Sequence, residues 1–272
     1  VTATSGFGGG IMCSLGAKLN VNTGAKLYLL DNSAPVAGGG IYMQDTNNRG
    51  TQIIISSSAK MKVVKNEASR GAGIYLQQEG SALVVEGTNT SLFVEENRAL
   101  GSGGAGILAL LTASITVRDG ALLYVSANEA LETGGGVLID SVVMTITGDG
   151  SRAVFKSNKA TDNGGGISMQ NAARISIDSG AHLYVLDNVA ERFGAGMFCL
   201  ELSRFTASGV GTKVFIQNNT LDETNDHAIG GGIFVNEGGS VSAESSAYLE
   251  ISSNKALYGG AIGIQGGSSG RS

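Results

Sequence analysis

The side chains best suited to chemistry in this 272-residue chain are few, and most sit apart from one another. Asp222, Glu223, Asp226 and His227 share one short segment, 221–229, and carboxylate oxygens are the ligands that Ca²⁺ prefers. Neither EF-hand spacing nor a Gly-rich nonapeptide surrounds them. The segment therefore reads as a solvated loop, with Asp222, Glu223 and Asp226 kept as weak metal candidates. Cleaving a glycosidic bond would need carboxylates, or Arg and Lys, converging across the bond from neighbouring elements. The sequence aligns no such stack, and besides His227 it offers only His182. The reading is a chain without catalytic residues and without a cofactor.

The elements that would have to position any such group follow a repeat, and internal repeats decide a fold before other signals do. A Gly-Gly-Gly-Ile-like marker begins at Gly8, Gly38, Gly71, Gly104, Gly134, Gly164, Gly194, Gly230 and Gly259. Successive spacings are 30, 33, 33, 30, 30, 30, 36 and 29 residues. In phase with it runs an apolar residue, two of any type, then Asn, at Asn32, Asn66, Asn97, Asn128, Asn158, Asn188, Asn219 and Asn254. The marker's first position is Gly in all nine copies, as a site with φ > 0 requires. Its second and third positions admit Ala and so demand only a small residue. Asn tolerates the left-handed region, and its amide can hydrogen-bond from one copy to the next.

Between markers the apolar residues alternate with period two, which means strands. Each repeat holds three: one at Gly-Ile, a middle one such as Ile115-Thr116-Val117, and one ending before Asn such as Leu123-Tyr124-Val125. Three strands and three turns fill the repeat. The predicted fold is all-β, a right-handed parallel β-helix of about nine rungs and three strands per rung. At ~4.8 Å per rung it forms a rod about 40 Å long. It occupies 1–265 as one domain, with a flexible Gly/Ser-rich tail at 266–272.

The same alternation sorts side chains into inward and outward columns. Cys13 and Cys199 fall in one inward column, six rungs or roughly 29 Å apart, too far for a disulfide. They are expected to be buried free thiols. Tyr42, Tyr75, Phe198 and Phe234 fall in the outward column of the first strand. Tyr28, Phe93, Tyr124, Tyr184 and Phe215 fall in that of the third. These nine are the candidate interaction stripes, whether they stack on each other or meet a partner laterally. The middle strand turns out Thr116, Thr145, Ser176, Thr206 and Ser242, a hydroxyl array of the kind that suits ice binding. The neighbouring Glu86, Arg118, Asp178 and Glu244 argue against a flat, weakly charged plane.

Composition narrows the classes further. Gly 43 with Pro 1 excludes collagen, and 42% hydrophobic with 15% charged residues excludes disorder. No apolar run is long enough to span a membrane. A net charge of -5 argues against nucleic acid. No basic segment with an apolar stretch opens the chain, and Val1 reads as the start of a mature or excised segment. With no cap visible at either end, the expectation is a fragment of a longer protein or a subunit that stacks end to end. Asn89-Thr90-Ser91 and Asn218-Asn219-Thr220 match glycosylation sequons.

The paired markers resemble the repeats of the chlamydial polymorphic outer membrane proteins, with their GGAI and FxxN tetrapeptides. Gly259-Gly260-Ala261-Ile262 is a strict GGAI; Phe155 to Asn158 and Phe215 to Asn218 are strict FxxN. The resemblance covers essentially the whole chain. It implies the β-helical passenger of an autotransporter, extracellular or on the cell surface, serving adhesion or structure. The expected role is a non-enzymatic adhesin stalk or filament element. Its expected partners are itself, end to end or laterally, or a cell-surface protein or glycan. The alternative reading is a carbohydrate-binding or polysaccharide-degrading β-helix, with ice binding a lesser one.

Overall fold

A computed structural model describes residues 6–45, 47–222 and 224–266. These wind into a solenoid of parallel strands, in which each turn hydrogen-bonds to the turn before and after it. The rung at 107–130 is representative. Ile107–Leu110 is its marker strand, Ser114–Arg118 its middle strand and Leu122–Ser126 its third strand. The alternating patterns of the last two are what half-buried strands require. In the middle strand Ile115 and Val117 are buried while Ser114, Thr116 and Arg118 are not. Across the chain these strands stack into one nine-stranded and two eight-stranded sheets, the nine and eight copies expected.

To the three expected strands the rung adds a short fourth side. After seven of the eight Asn the next residues, such as Arg98–Ala99 and Glu129–Ala130, are themselves extended and pair in parallel, making a seven-stranded corner sheet. Asn holds them in place: Glu129 donates its backbone N–H to the Asn97 carbonyl at 2.9 Å. The Ala that follows is buried in every described copy from Ala34 to Ala190. It was visible in the sequence as a third marker, but two residues are too short to show a period.

Asn forms a ladder through the whole solenoid. Asn97 Nδ2 donates to Asn128 Oδ1 at 2.9 Å and to the Val63 carbonyl at 3.0 Å. Asn97 Oδ1 accepts from both the Nδ2 and the backbone N of Asn66, each at 2.9 Å. All four amide hydrogen-bonding positions are filled, as burial demands. The left-handed conformation expected at Asn belongs instead to the residue before it: Asp31, Lys65, Glu96, Ala127, Ser157, Asp187, Asn218 and Ser253 all have φ between 52° and 57°. Asn is selected for its amide, not for its tolerance of φ > 0. The strict Phe215 to Asn218 tetrapeptide is accordingly one residue out of register, since the ladder uses Asn219, preceded by Ile216.

The marker glycines behave as predicted at the first position, where all nine have positive φ. The third position is stricter than smallness alone. A Cβ on Gly106 would lie 2.4 Å from the Gly136 carbonyl oxygen and 3.0 Å from Asn128 Nδ2. Ala261 escapes this because it sits in the last described rung, where it is exposed.

The core runs inside the coil and includes the expected column from Cys13 to Val235. Ile264 in the same column is 79% exposed, since no described rung follows it.

Candidate interaction surface

The two aromatic columns meet different fates. Tyr42, Tyr75, Phe198 and Phe234 point away from the coil as expected but are 3%, 3%, 6% and 1% exposed, which corrects their assignment to an open interaction stripe. The segment returning from the corner strand to the next marker folds over them. Phe193, on that segment, places its ring 4.6 Å from Phe234 and 6.4 Å from Phe198. A Cβ on Gly134 would lie 2.7 Å from that of Leu138, in the same column. The column is a second core lying outside the coil.

The third-strand column stays open. Tyr28 is 50% exposed, and Phe93, Tyr124, Tyr184 and Phe215 are half-buried. Neighbouring rings pack on each other: Tyr184 and Phe215 stack 5.3 Å apart at 9°, and Phe93 and Tyr124 lie tilted 5.8 Å apart at 50°. Tyr184 Oη lies 3.2 Å from His182 Nδ1.

Sequence reasoning missed what flanks this stripe. The outward column two residues before the aromatic column carries Lys26, Lys60, Arg152, His182 and Lys213, with Ser91 and Leu122 between Lys60 and Arg152, and Lys62 takes a place in the aromatic column itself. The signal was present as one more column, but the surrounding acids hide it until the faces are separated. A shallow depression lies between Lys60 and Arg152, floored by Ser91, Phe93 and Leu122 and edged by Gly120.

The corner sheet offers the opposite pattern. Glu67, Arg98, Glu129 and Lys159 alternate in sign on successive rungs. Glu129 takes both Arg98 at 3.8 Å and Lys159 at 3.4 Å. The middle sheet carries the hydroxyl array, with Ser242 Oγ 3.3 Å from Thr206 Oγ1. Arg118 bonds Glu86 at 2.5 Å, and Thr147 bonds Asp178.

The remaining candidates are separate from these faces. Asp222 Oδ1 accepts from the Thr224 hydroxyl at 2.7 Å and its backbone N–H at 2.9 Å, which holds its carboxyl below the ordinary range. Asp226 is fully in solvent beside His227, and Glu223 lies outside the described residues. Among the described residues no group of three or more His, Cys, Asp or Glu could hold a metal. Asp45 was not anticipated. Burial tends to raise its pKa, but backbone amides of Arg49, Thr51, Asn47 and Gly50 converge on the carboxylate and bring it below the usual value. It gathers the backbone of residues 47–51 around itself.

Both cysteines are buried free thiols, as expected. Burial pushes the Cys199 thiol up to about 12. Asn89 and Asn218, the sequon residues, are exposed. No described helix is long and apolar enough to cross a membrane. Residues 267–272 of the expected tail lie outside the described residues.

No family model matches the chain, and no curated protein does. Among solved structures it is similar to a TibC-catalyzed hyper-glycosylated TibA fragment. The two are 18% identical over 97% of this chain and 94% of that one, with a TM-score of 0.22. At that identity and score the likeness bears on neither partner nor chemistry.

Proposed function

We propose that this chain is a non-enzymatic, extracellular or cell-surface β-helical element, an adhesin stalk or a structural filament element. The observation that supports the reading is the continuity of the Asn ladder. Seven successive side-chain links of 2.9–3.0 Å join Asn32 to Asn254 without a break. Each rung is thereby tied to the next through side chain and backbone at once, and the stiffness of such a solenoid comes from neighbour-to-neighbour contacts. A stalk or filament needs that property along its axis, whereas a cleft enzyme needs groups converging across it.

The test has two arms. Antibody labelling of intact cells that produce the protein should mark the surface, and labelling only after lysis would overturn the location. Negative-stain images and sedimentation of the purified chain should give a rod about 40 Å long per copy. Association should weaken when Tyr124 and Tyr184 are both changed to Ser. Unassociated 27.5 kDa monomers at high concentration, together with no binding to cells, would remove both the filament and the adhesin roles.

A further inference from the structure

The charge on the third sheet is not explained by the fold. Its outward strand positions hold six cations, Lys26, Lys60, Lys62, Arg152, Lys156 and Lys213. Against them stand two acids, Glu95 and Glu250, in a chain whose net charge is -5. Neither acid answers the cations. Glu250 is engaged by Gln217 at 2.6 Å, Tyr248 at 2.7 Å and Ser252 at 2.9 Å, and Glu95 faces Ser126 at 3.4 Å. Lys156 pairs with Asp187 at the corner. Among the described residues no acid lies within 4 Å of Lys26, Lys60, Lys62, Arg152 or Lys213.

The register makes this arrangement costly. Lys26 is the direct ladder neighbour of Lys60, while Arg152 and Lys213 stand two rungs apart with His182 between them. Like charges directly opposite in a sheet destabilise it. The corner sheet of the same molecule shows that alternation of sign was available and was used. A face that keeps its positive charge uncompensated is complementary to an anion from outside.

We propose that the third sheet binds an acidic polysaccharide lying along the solenoid axis, with Lys60 and Arg152 gripping it at the two ends of the depression. This rests on the extracellular reading above and names its partner. Lys60 and Arg152 stand three rungs apart, about 14 Å at ~4.8 Å per rung. That span accommodates a few sugar units, and the floor between them mixes hydroxyl with apolar groups, as a pyranose does. Duplex nucleic acid fits less well. It presents a charge about every 1.7 Å, whereas this face offers at most one cation per rung in the flanking column and none at Ser91 or Leu122. An anionic membrane would call for free apolar faces, and here Tyr184 and Phe215 cover each other while Lys62 lies over the Phe93 ring.

Binding of the purified chain to polygalacturonate and dextran sulfate, with uncharged dextran as reference, tests the assignment. The acidic polymers should bind and the neutral one should not, with affinity falling as salt rises. K60Q/R152Q should weaken binding at least tenfold, while R98Q/K159Q, the same charge loss on the corner sheet, should leave it within twofold. K60Q/R152Q should also melt no lower than the parent chain, because the Lys26–Lys60 like-charge contact is relieved and, among the described residues, neither Lys60 nor Arg152 has an ion-pair partner to lose. The proposal is overturned if both acidic polymers bind no better than dextran, or if the two variants weaken binding equally. Equal or tighter binding of duplex DNA or of phosphatidylserine vesicles would reassign the face to those ligands. Loss of self-association in K60Q/R152Q alone would reassign it to a second copy of the chain. Failure of polymer binding leaves surface labelling and rod formation unaffected, so the two readings fail separately.

Discussion

The marker strands and the third strands each carry a column of tyrosines and phenylalanines on the side away from the coil, yet one column is a second core and the other a surface. What separates them lies outside both strands. After each Asn corner the chain travels several residues before the next marker glycine, and that stretch lies across the marker sheet, bringing Phe193 onto Phe198 and Phe234. Among the described residues nothing equivalent crosses the third sheet, where Tyr28 and Tyr248 are each 50% exposed. An aromatic residue on the outer side of a solenoid strand is therefore not yet a surface residue. The length and path of the following connection decide which it is.

The largest way to break the comparison is to truncate a covered ring. Phe234→Ala removes a side chain that is 1% exposed and stacked on two other rings, so it should cost about 3–5 kcal/mol in chemical denaturation. A cost below ~1 kcal/mol would show that the column is open in solution. Next in size is the glycine that lets the connection close. Gly134 has φ of 76°, and an added Cβ would meet that of Leu138 at 2.7 Å. Gly134→Ala combines backbone strain with overpacking and should cost about 3 kcal/mol. Ala127→Gly relieves a φ of 53° at an open corner and should stay within ~1 kcal/mol.

These positions also show how far the sequence could be read. The coil, its parallel sheets and its inward columns were legible because each is written several times in one chain, and eight Asn and nine Gly in phase leave little freedom. The Asn ladder followed from the chemistry of the amide. The left-handed site before Asn did not, because Asp, Lys, Glu, Ala, Ser and Asn all fill it and no residue type announces it. The corner strand was too short for periodicity. The covering of Tyr42 and Tyr75 was hidden because alternation reports which side of a strand a residue takes, not what lies beyond that side. The basic column failed to stand out for a related reason. Its lysines are interleaved along the chain with acids that the fold sends to other faces.

A smaller effect of opposite sign tests the covered column from within. Ser168 occupies it between Leu138 and Phe198, fully buried, with no partner for its hydroxyl. Burying an unpaired hydroxyl costs about 1–3 kcal/mol. Ser168→Ala should therefore raise stability by about 1 kcal/mol, and a loss would mean that the hydroxyl has a partner in solution.

The open column should give the smallest response. Tyr184→Ala removes a half-buried ring whose stack with Phe215 sits at 5.3 Å. The ring is only partly buried, so less apolar burial is lost than at Phe234. The expected cost is about 1 kcal/mol, with ring–ring coupling to Phe215 of about 0.5 kcal/mol in a double-mutant cycle. Stability and binding should separate here in a way they cannot at Phe234. If the third sheet is kept aromatic for a partner, Tyr184→Ala will weaken association far more than it lowers the melting temperature. If instead the rings serve only the ladder, association will change no more than stability does, and the two columns will differ in exposure but not in purpose.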